Sequence, residues 1–349
     1  MTDRQDVRLT PHCSTVPVLD RVRAVLHDTP PGSEPLEPLA QGLTDGVPQP
    51  GAGETLLRWE VLATLGAHDL QVARAAEPHL DALAILDEAG RDDLAGPGLR
   101  WGVFAAEGPG VRLEARQHDD GTWTLAGTKP WCSLGSQLER ALVTAWVDEE
   151  RRAMFAVDLT DARVGPAETA HAWAPTGLPD IPSGPLAFAD VPAQPVGDPG
   201  WYLRRDGFSW GGIGVAAVWY GGAVALHRRL LRAAGDRAPD QVGLAHLGAT
   251  DACLHGARAV LAESAADIDA GLVTGPAGQV AALRVRQVVA DAVEDVLRHA
   301  AHALGPAPLV EAEHARRVAD LQLYVRQHHA ERDAAVLGRA LTQPPEATR

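Results

Sequence analysis

The chain is predicted to be an α+β multidomain protein in which a helical region, an antiparallel β region and a C-terminal four-helix bundle follow one another. Three observations predict this. Leucines and valines recur at helical spacing before residue 90, short alternating runs fill residues 99–196, and four long alanine-rich segments occupy the rest. The expected boundaries are 1–97 for the N-terminal helical domain, 98–200 for a middle β-barrel or sandwich domain, and 201–349 for the bundle.

In the first region the Pro/Gly-rich stretch TPPGSEPLEPLAQGLTDGVPQPGAG reads as a surface loop. After it, Leu56, Leu57, Val61 and Leu65, then Leu80, Leu83 and Leu86, keep the helical recurrence, and Gly90 is a stop signal. The second region alternates through WGVFAAE, VRLEARQ, TWTLAGT, RALVTAWV, RAMFAVDL and PLAFADV. Asp119-Asp120-Gly121 between two of these runs predicts a hairpin. In the third region, helices are expected at about 208–234, 241–270, 276–304 and 311–341, with GDRAPD, GLVTGP and GPAP as connections. Val318, Leu321, Val325 and His328 step along one face of the last helix, so His328 is expected to point inward.

With 349 residues the chain can bury ample apolar area without a disulfide or a structural metal. Cys13, Cys132 and Cys253 are too few and too widely spaced for a disulfide framework or a CxxC site, which fits a reducing cytoplasm. No run of about eighteen consecutive apolar residues occurs, and MTDRQDVRLT is too polar for a signal peptide, so a soluble, cytoplasmic protein with no membrane partner is expected. The net charge of -15 and the scattered arginines argue against nucleic acid. Lys129 is the single lysine and Pro130 follows it, which excludes a P-loop and leaves Schiff-base chemistry to that one residue. The histidines show no HExxH spacing, and no metal site is expected. In GGIGVAAVWYGG, Gly211, Gly212 and Gly214 follow no clear strand, so a dinucleotide fingerprint is not supported, and the small residues of this stretch read as a close helix approach. A hydrolase is disfavoured because no G-x-S-x-G elbow is present.

One segment is more specific. GTWTLAGTKPWCS, with Gly121, Trp123, Leu125, Gly127, Lys129, Trp131, Cys132 and Ser133, resembles the G-x-W-x-[LI]-x-G-x-K-x-W-[IC]-[ST] segment of the acyl-CoA dehydrogenase family of flavoproteins. HAWAPTGLPDIPSGPLAFADVPA and the helix GAHDLQVARAAEPHLDALAILDEAG are similar to further family elements, and the resemblance covers most of the chain. It implies FAD as cofactor, a small-molecule or acyl-thioester substrate, a homodimer or homotetramer, and an electron-transfer or reductase partner. Physically, a flat ring system with a polar edge calls for an aromatic wall and nearby donors. By resemblance Trp131 is that wall and Ser133 a donor to the flavin edge.

Departures from the family pattern are equally specific. Where the family has T-E-P-x-x-G-S-D, this chain has Ala106, Glu107, Gly108, Pro109 and Gly110, so Ala106 and Glu107 hold the cofactor loop positions without the usual hydroxyls. The family's catalytic glutamate stands eight residues after an Arg-x-x-Arg-Asp aspartate. With Arg316, Arg317 and Asp320 in that role, the place is taken by His328, and FSWGGIGVAAVWYGGAVALH, the alternative location, has no acid. A second register through Arg332 and Asp333 puts Leu341 there instead. Histidine at this position resembles the branch of the fold that hydroxylates substrates with reduced flavin and oxygen, and an imidazole suits proton exchange near neutral pH. The readings are therefore FAD-dependent α,β-oxidation, reduced-flavin monooxygenation with His328 as base, or a non-catalytic partner subunit. His329 is expected at the solvent or beside His328.

Overall fold

A computed structural model describes residues 6–10, 16–168 and 174–342. Cys13 and Trp173, the latter part of the sequence resemblance, lie outside these. Two compact units are present: Met1–Ala73 with Thr176–Leu178 and Ser209–Arg349, and Arg74–Pro175 with Pro179–Phe208.

The first unit is helical. It contains α1 (Pro17–His27), α2 (Glu37–Ala40), α3 (Thr55–His68), the first turn of α4 (Leu70–Glu88), most of α6 (Asp206–Asp236, after the short α5, Trp201–Arg204), then α7 (Gln241–Asp269), α8 (Gly275–Leu304), α9 (Ala312–Tyr324) and α10 (Glu331–Thr342). Helix α6 is long and apolar enough to cross a membrane by composition, yet 78% of its most apolar window is buried within the protein, as befits a core helix. The small-residue stretch on α6 does let helices approach closely. Gly221 on α6 sits against the Ala63 carbonyl of α3, and Gly66 on α3 against the Val218 carbonyl, so a side chain at either would collide with backbone.

The expected single helix over 311–341 is a correction. Helix α9 stops at Tyr324, a 3-10 turn spans Val325–Gln327, His328 is extended, and Ala330 adopts a φ of 47° before α10 begins. No glycine or proline marks the break. It is held instead by Arg286 of α8, whose guanidinium donates to the Gln327 carbonyl at 2.9 Å, and by Asp333, which accepts from the His329 N–H at 3.0 Å. Tertiary partners here overrule the local helical pattern.

In the second unit the strands are β1 (Trp101–Phe104), β2 (Leu113–Gln117), β3 (Trp123–Ser133), β4 (Arg140–Trp146), β5 (Arg152–Asp158), β6 (Val164–Pro166) and β7 (Ser183–Val196). Their pairing closes on itself through β4, β2, β3, β7 and β5, with β1 added to β4 and β6 to β7. Most ladders are antiparallel; β1–β4 and the single β2–β4 bridge are parallel. The predicted hairpin joins β2 to β3, with Gly121 at a φ of 84° supplying the left-handed turn residue. Ala82, Ile85 and Leu86 of α4 pack on Trp101, Leu142, Met154 and Val196 to form the core of this unit. Arg205, its side chain 1% exposed, ties α4 down through Glu88 at 2.8 Å and Asp81 at 3.4 Å.

Candidate cofactor platform and proton-transfer residue

Strand β3 carries the platform. Strict alternation would put Lys129, Trp131 and Ser133 on one face. The ladder with β7 is shifted between Lys129 and Cys132, however, and Trp131 takes a φ of 59°. This bulge turns Lys129 into the barrel, fully buried, and leaves the Trp131 indole 52% exposed. A bulky residue in the left-handed region costs about 1–3 kcal/mol and is kept only where the surroundings impose it. The strain is spent on presenting a flat aromatic surface to the outside.

Beside it, the Ser133 hydroxyl accepts from the Arg74 guanidinium at 3.0 Å and lies 2.8 Å from the Ser183 hydroxyl. The Ser183 hydroxyl is also 3.2 Å from the Ile181 carbonyl. Between Ser133 and Ser183 either hydroxyl can be the donor, so Arg74, Ser133 and Ser183 form one hydrogen-bonded edge at the end of β3.

Ala106 and Glu107 lie in the loop that follows β1. Glu107 Oε1 accepts from Lys129 Nζ at 2.6 Å and from Arg152 at 3.0 Å, while Oε2 lies 3.4 Å from the Trp146 indole nitrogen. Burial pushes the Glu107 carboxyl up, but the Lys129 ammonium, by hydrogen bond and charge, and Arg152 outweigh it and hold it below the usual range. Burial draws Lys129 down, offset in part by Glu107. Thr144 takes a further Lys129 proton at 2.9 Å. The one lysine is thus a satisfied structural cation, closed to Schiff-base chemistry, and the Glu107 side chain is committed to it. Ala106 is exposed with nothing but backbone and a methyl to offer. Burial also lifts the Cys132 thiol to about 12, so it remains protonated.

His328 belongs to the helical unit. It is buried, as expected from its pattern, and its Nε2 is enclosed without a hydrogen-bond partner. The nearest acid, Asp333, lies 3.9 Å from that nitrogen, beyond hydrogen-bond length. Burial lowers its basicity, with Asp333 opposing and Arg286 reinforcing the shift, so the ring is neutral at pH 7. His329 faces solvent, 65% exposed, beside Asp333. Eight residues before His328, Asp320 is buried and accepts from the Leu178 N–H at 2.5 Å, pinning residues 176–178 on α9. Burial raises its carboxyl to about 6, with the Leu178 hydrogen bond working against that. Leu341, the other register's position, is 63% exposed. Arg74, Ser183 and Arg286 were not singled out from the sequence; nothing in their local pattern separates them from ordinary surface or loop residues.

No family of known sequences and no curated protein matches the chain. Solved structures do match it. Butyryl-CoA dehydrogenase from Megasphaera elsdenii is similar with a TM-score of 0.78 and 17% identity, over 95% of this chain and 100% of that one. TdsC from Paenibacillus sp. A11-2, in its complex with FMN and indole, is similar with a TM-score of 0.76 and 15% identity, over 93% and 97%. KijD3 in complex with dTDP gives 0.77 and 16%, over 95% and 98%. The chain therefore has the acyl-CoA dehydrogenase-like fold, with N-terminal helices, a central mixed β-sheet and a C-terminal helical bundle.

Proposed function

We propose that this protein is a flavin-dependent oxidoreductase that uses the imidazole of His328, in place of a carboxylate, to exchange a proton with its substrate. The observation that carries the reading is the buried Nε2 of His328, enclosed and without a protein partner. An unpaired buried polar atom costs about 1–3 kcal/mol, and such a cost is tolerated where a ligand completes the pairing. The exposed indole of Trp131, held at a strained φ beside Arg74 and Ser133, fits one face and the polar edge of a flavin. Bound flavin, FAD or FMN, would supply the two-electron chemistry. The chain's own part is to orient it and to hold or release a proton at His328 Nε2.

Among flavin reactions, we favour monooxygenation with reduced flavin supplied by a separate reductase. A neutral imidazole suits removal of a proton from a phenol or similar acidic group, and TdsC, which shares the fold, is a dibenzothiophene monooxygenase. In that reaction a substrate C–H, O₂ and reduced flavin give C–OH, water and oxidised flavin, the two electrons and two protons coming from the flavin. Dehydrogenation of an acyl thioester is the second reading, favoured by the GTWTLAGTKPWCS segment. The two separate cleanly. Under the favoured reading, supplied reduced flavin plus oxygen yields a hydroxylated product from a panel of phenols and heteroaromatics, while anaerobic acyl thioesters leave bound oxidised flavin unbleached. Bleaching by thioesters would transfer the assignment to dehydrogenation. Silence in both assays, with wild-type behaviour of His328→Ala in cells, would mark a partner subunit.

A further inference from the structure

We infer that Asp333 is a positioning residue for His328: the carboxylate that locks the helix break after α9 also stabilises the imidazolium that His328 becomes on taking a proton. This rests on the proton-transfer reading of His328 above. Asp333 stands in the first turn of α10, and both its oxygens are engaged at the break. Oδ2 accepts from the His329 N–H at 3.0 Å, and Oδ1 lies 3.3 Å from His329 Nδ1. These two contacts fix the carboxylate, and they leave Oδ2 3.9 Å from the enclosed Nε2 of His328. While the ring is neutral that separation is too long for a hydrogen bond. Once His328 is protonated both of its nitrogens carry hydrogen, whichever tautomer came before, and the same separation becomes that of an ion pair.

The other charges around His328 cannot replace this carboxylate. Arg286 of α8 opposes an imidazolium, and its guanidinium is held where it is by the Gly212 and Gln327 carbonyls at 2.7 and 2.9 Å. Asp291, also on α8, favours the charged ring less than Asp333 does. It is exposed, whereas the Asp333 side chain is 19% exposed, so water screens it more. Its Oδ1 also takes the Gln287 amide at 2.8 Å. His329, at the solvent, adds only a like charge when protonated. One acid therefore offsets the enclosed cation, and it is the acid whose hydrogen bonds shape the backbone on which His328 sits.

The experiment titrates the full chain, labelled with 13C,15N-histidine and free of flavin, by NMR, with the His328 resonance assigned by its loss in His328→Gln. Asp333→Asn keeps an oxygen acceptor for the His329 N–H and deletes the charge. It should lower the pKa of His328 by about one unit or more, the usual effect of losing an opposite charge at this range. Asp291→Asn should lower it by less than half as much. In turnover of whichever phenol or heteroaromatic the wild type hydroxylates, Asp333→Asn should reduce kcat by about 3- to 10-fold at pH 7 with KM unchanged. The acid limb of its pH profile should move down by the shift that NMR reads. Asp333→Ser, a shorter acceptor without charge, takes over if the asparagine variant does not fold. An unmoved His328 pKa in a folded variant, a shift no larger than that of Asp291→Asn, or a lowered pKa with wild-type kcat overturns the inference. Failure of both variants to fold overturns it too, because the carboxylate then serves the break alone. A wild type without turnover overturns the functional reading and the inference together, an outcome told apart because the NMR titration needs neither flavin nor substrate.

Discussion

Lys129 and His328 are both buried ionisable groups, and the protein treats them in opposite ways. Lys129, inside the β unit, meets Glu107 at 2.6 Å and Thr144 at 2.9 Å, with Arg152 sharing the same carboxylate oxygen. His328, in the helical unit, has an enclosed Nε2 with no hydrogen bond and an acid just out of reach. A buried cation must be paired, because an unpaired one costs several kcal/mol. A neutral imidazole can wait for a partner at lower cost. The difference teaches where to look for chemistry: the group with complete partners is structural, and the group left incomplete is available to a substrate.

Substitutions that exchange these roles would break the comparison. The largest effect is expected at His328. His328→Gln should lower turnover by about 10²–10⁴-fold, the usual contribution of a positioned acid or base, while thermal and urea unfolding shift by no more than about 1 kcal/mol. The base must be neutral and its basicity is depressed, so wild-type activity should be flat at neutral pH and fall on the acid side, below 6.5. The same sign applies to stability: a histidine with a lowered folded pKa contributes most above its unfolded value and loses that contribution as the pH falls. His328→Gln should therefore lose both the acid limb in rate and this part of the acid destabilisation.

At the other pole, Glu107→Ala should cost about 3 kcal/mol in urea unfolding, because it strands a buried ammonium beside Arg152. Lys129→Met should cost less, since Glu107 keeps Arg152 and reaches solvent. If Lys129→Met proved the more damaging, the lysine would have a role beyond pairing.

A smaller effect sharpens the picture at Asp320. Asp320→Ala removes the acceptor of the Leu178 N–H and should cost about 1–3 kcal/mol. Asp320→Asn keeps an acceptor and deletes a charge whose pKa burial raises to about 6. A carboxyl raised in the folded state weakens stability as the pH climbs from its unfolded value through 6. The asparagine variant should thus match or exceed wild type above pH 6 and lose any advantage below about pH 4, checked by unfolding curves across that range.

Much of the architecture was legible because the hydrophobic period changes from 3.6 to 2 and back, and because the Asp119–Gly121 turn and the small residues of α6 have direct backbone consequences. Strand β3 shows what was not legible. Lys129, Trp131 and Ser133 share sequence parity, and only the bulge, with Trp131 in a conformation usually left to glycine, sends the first inward and the second outward. Glu107 and Lys129 were both visible as residues, but not as partners 22 positions apart, although a lone lysine inside a strand calls for a distant acid. The helix break before His328 carried no proline or glycine; its one local sign was Asp333, placed to reach back to the His329 N–H. The inward position of His328 was readable from spacing, while the emptiness of its Nε2 depends on what packs around it. Arg74 looked like any arginine on a helix until Ser133 was brought within 3.0 Å.

The account depends most directly on flavin settling against the Trp131 indole. Flavin fluorescence should be quenched on titration with the wild-type protein, saturating at one flavin per chain, because stacking on an indole quenches the ring. Trp131→Ala should abolish the quenching and weaken binding at least tenfold, with unfolding stability little changed because the side chain is 52% exposed. Full quenching retained in Trp131→Ala, or no flavin bound by the wild type in either redox state, would contradict it.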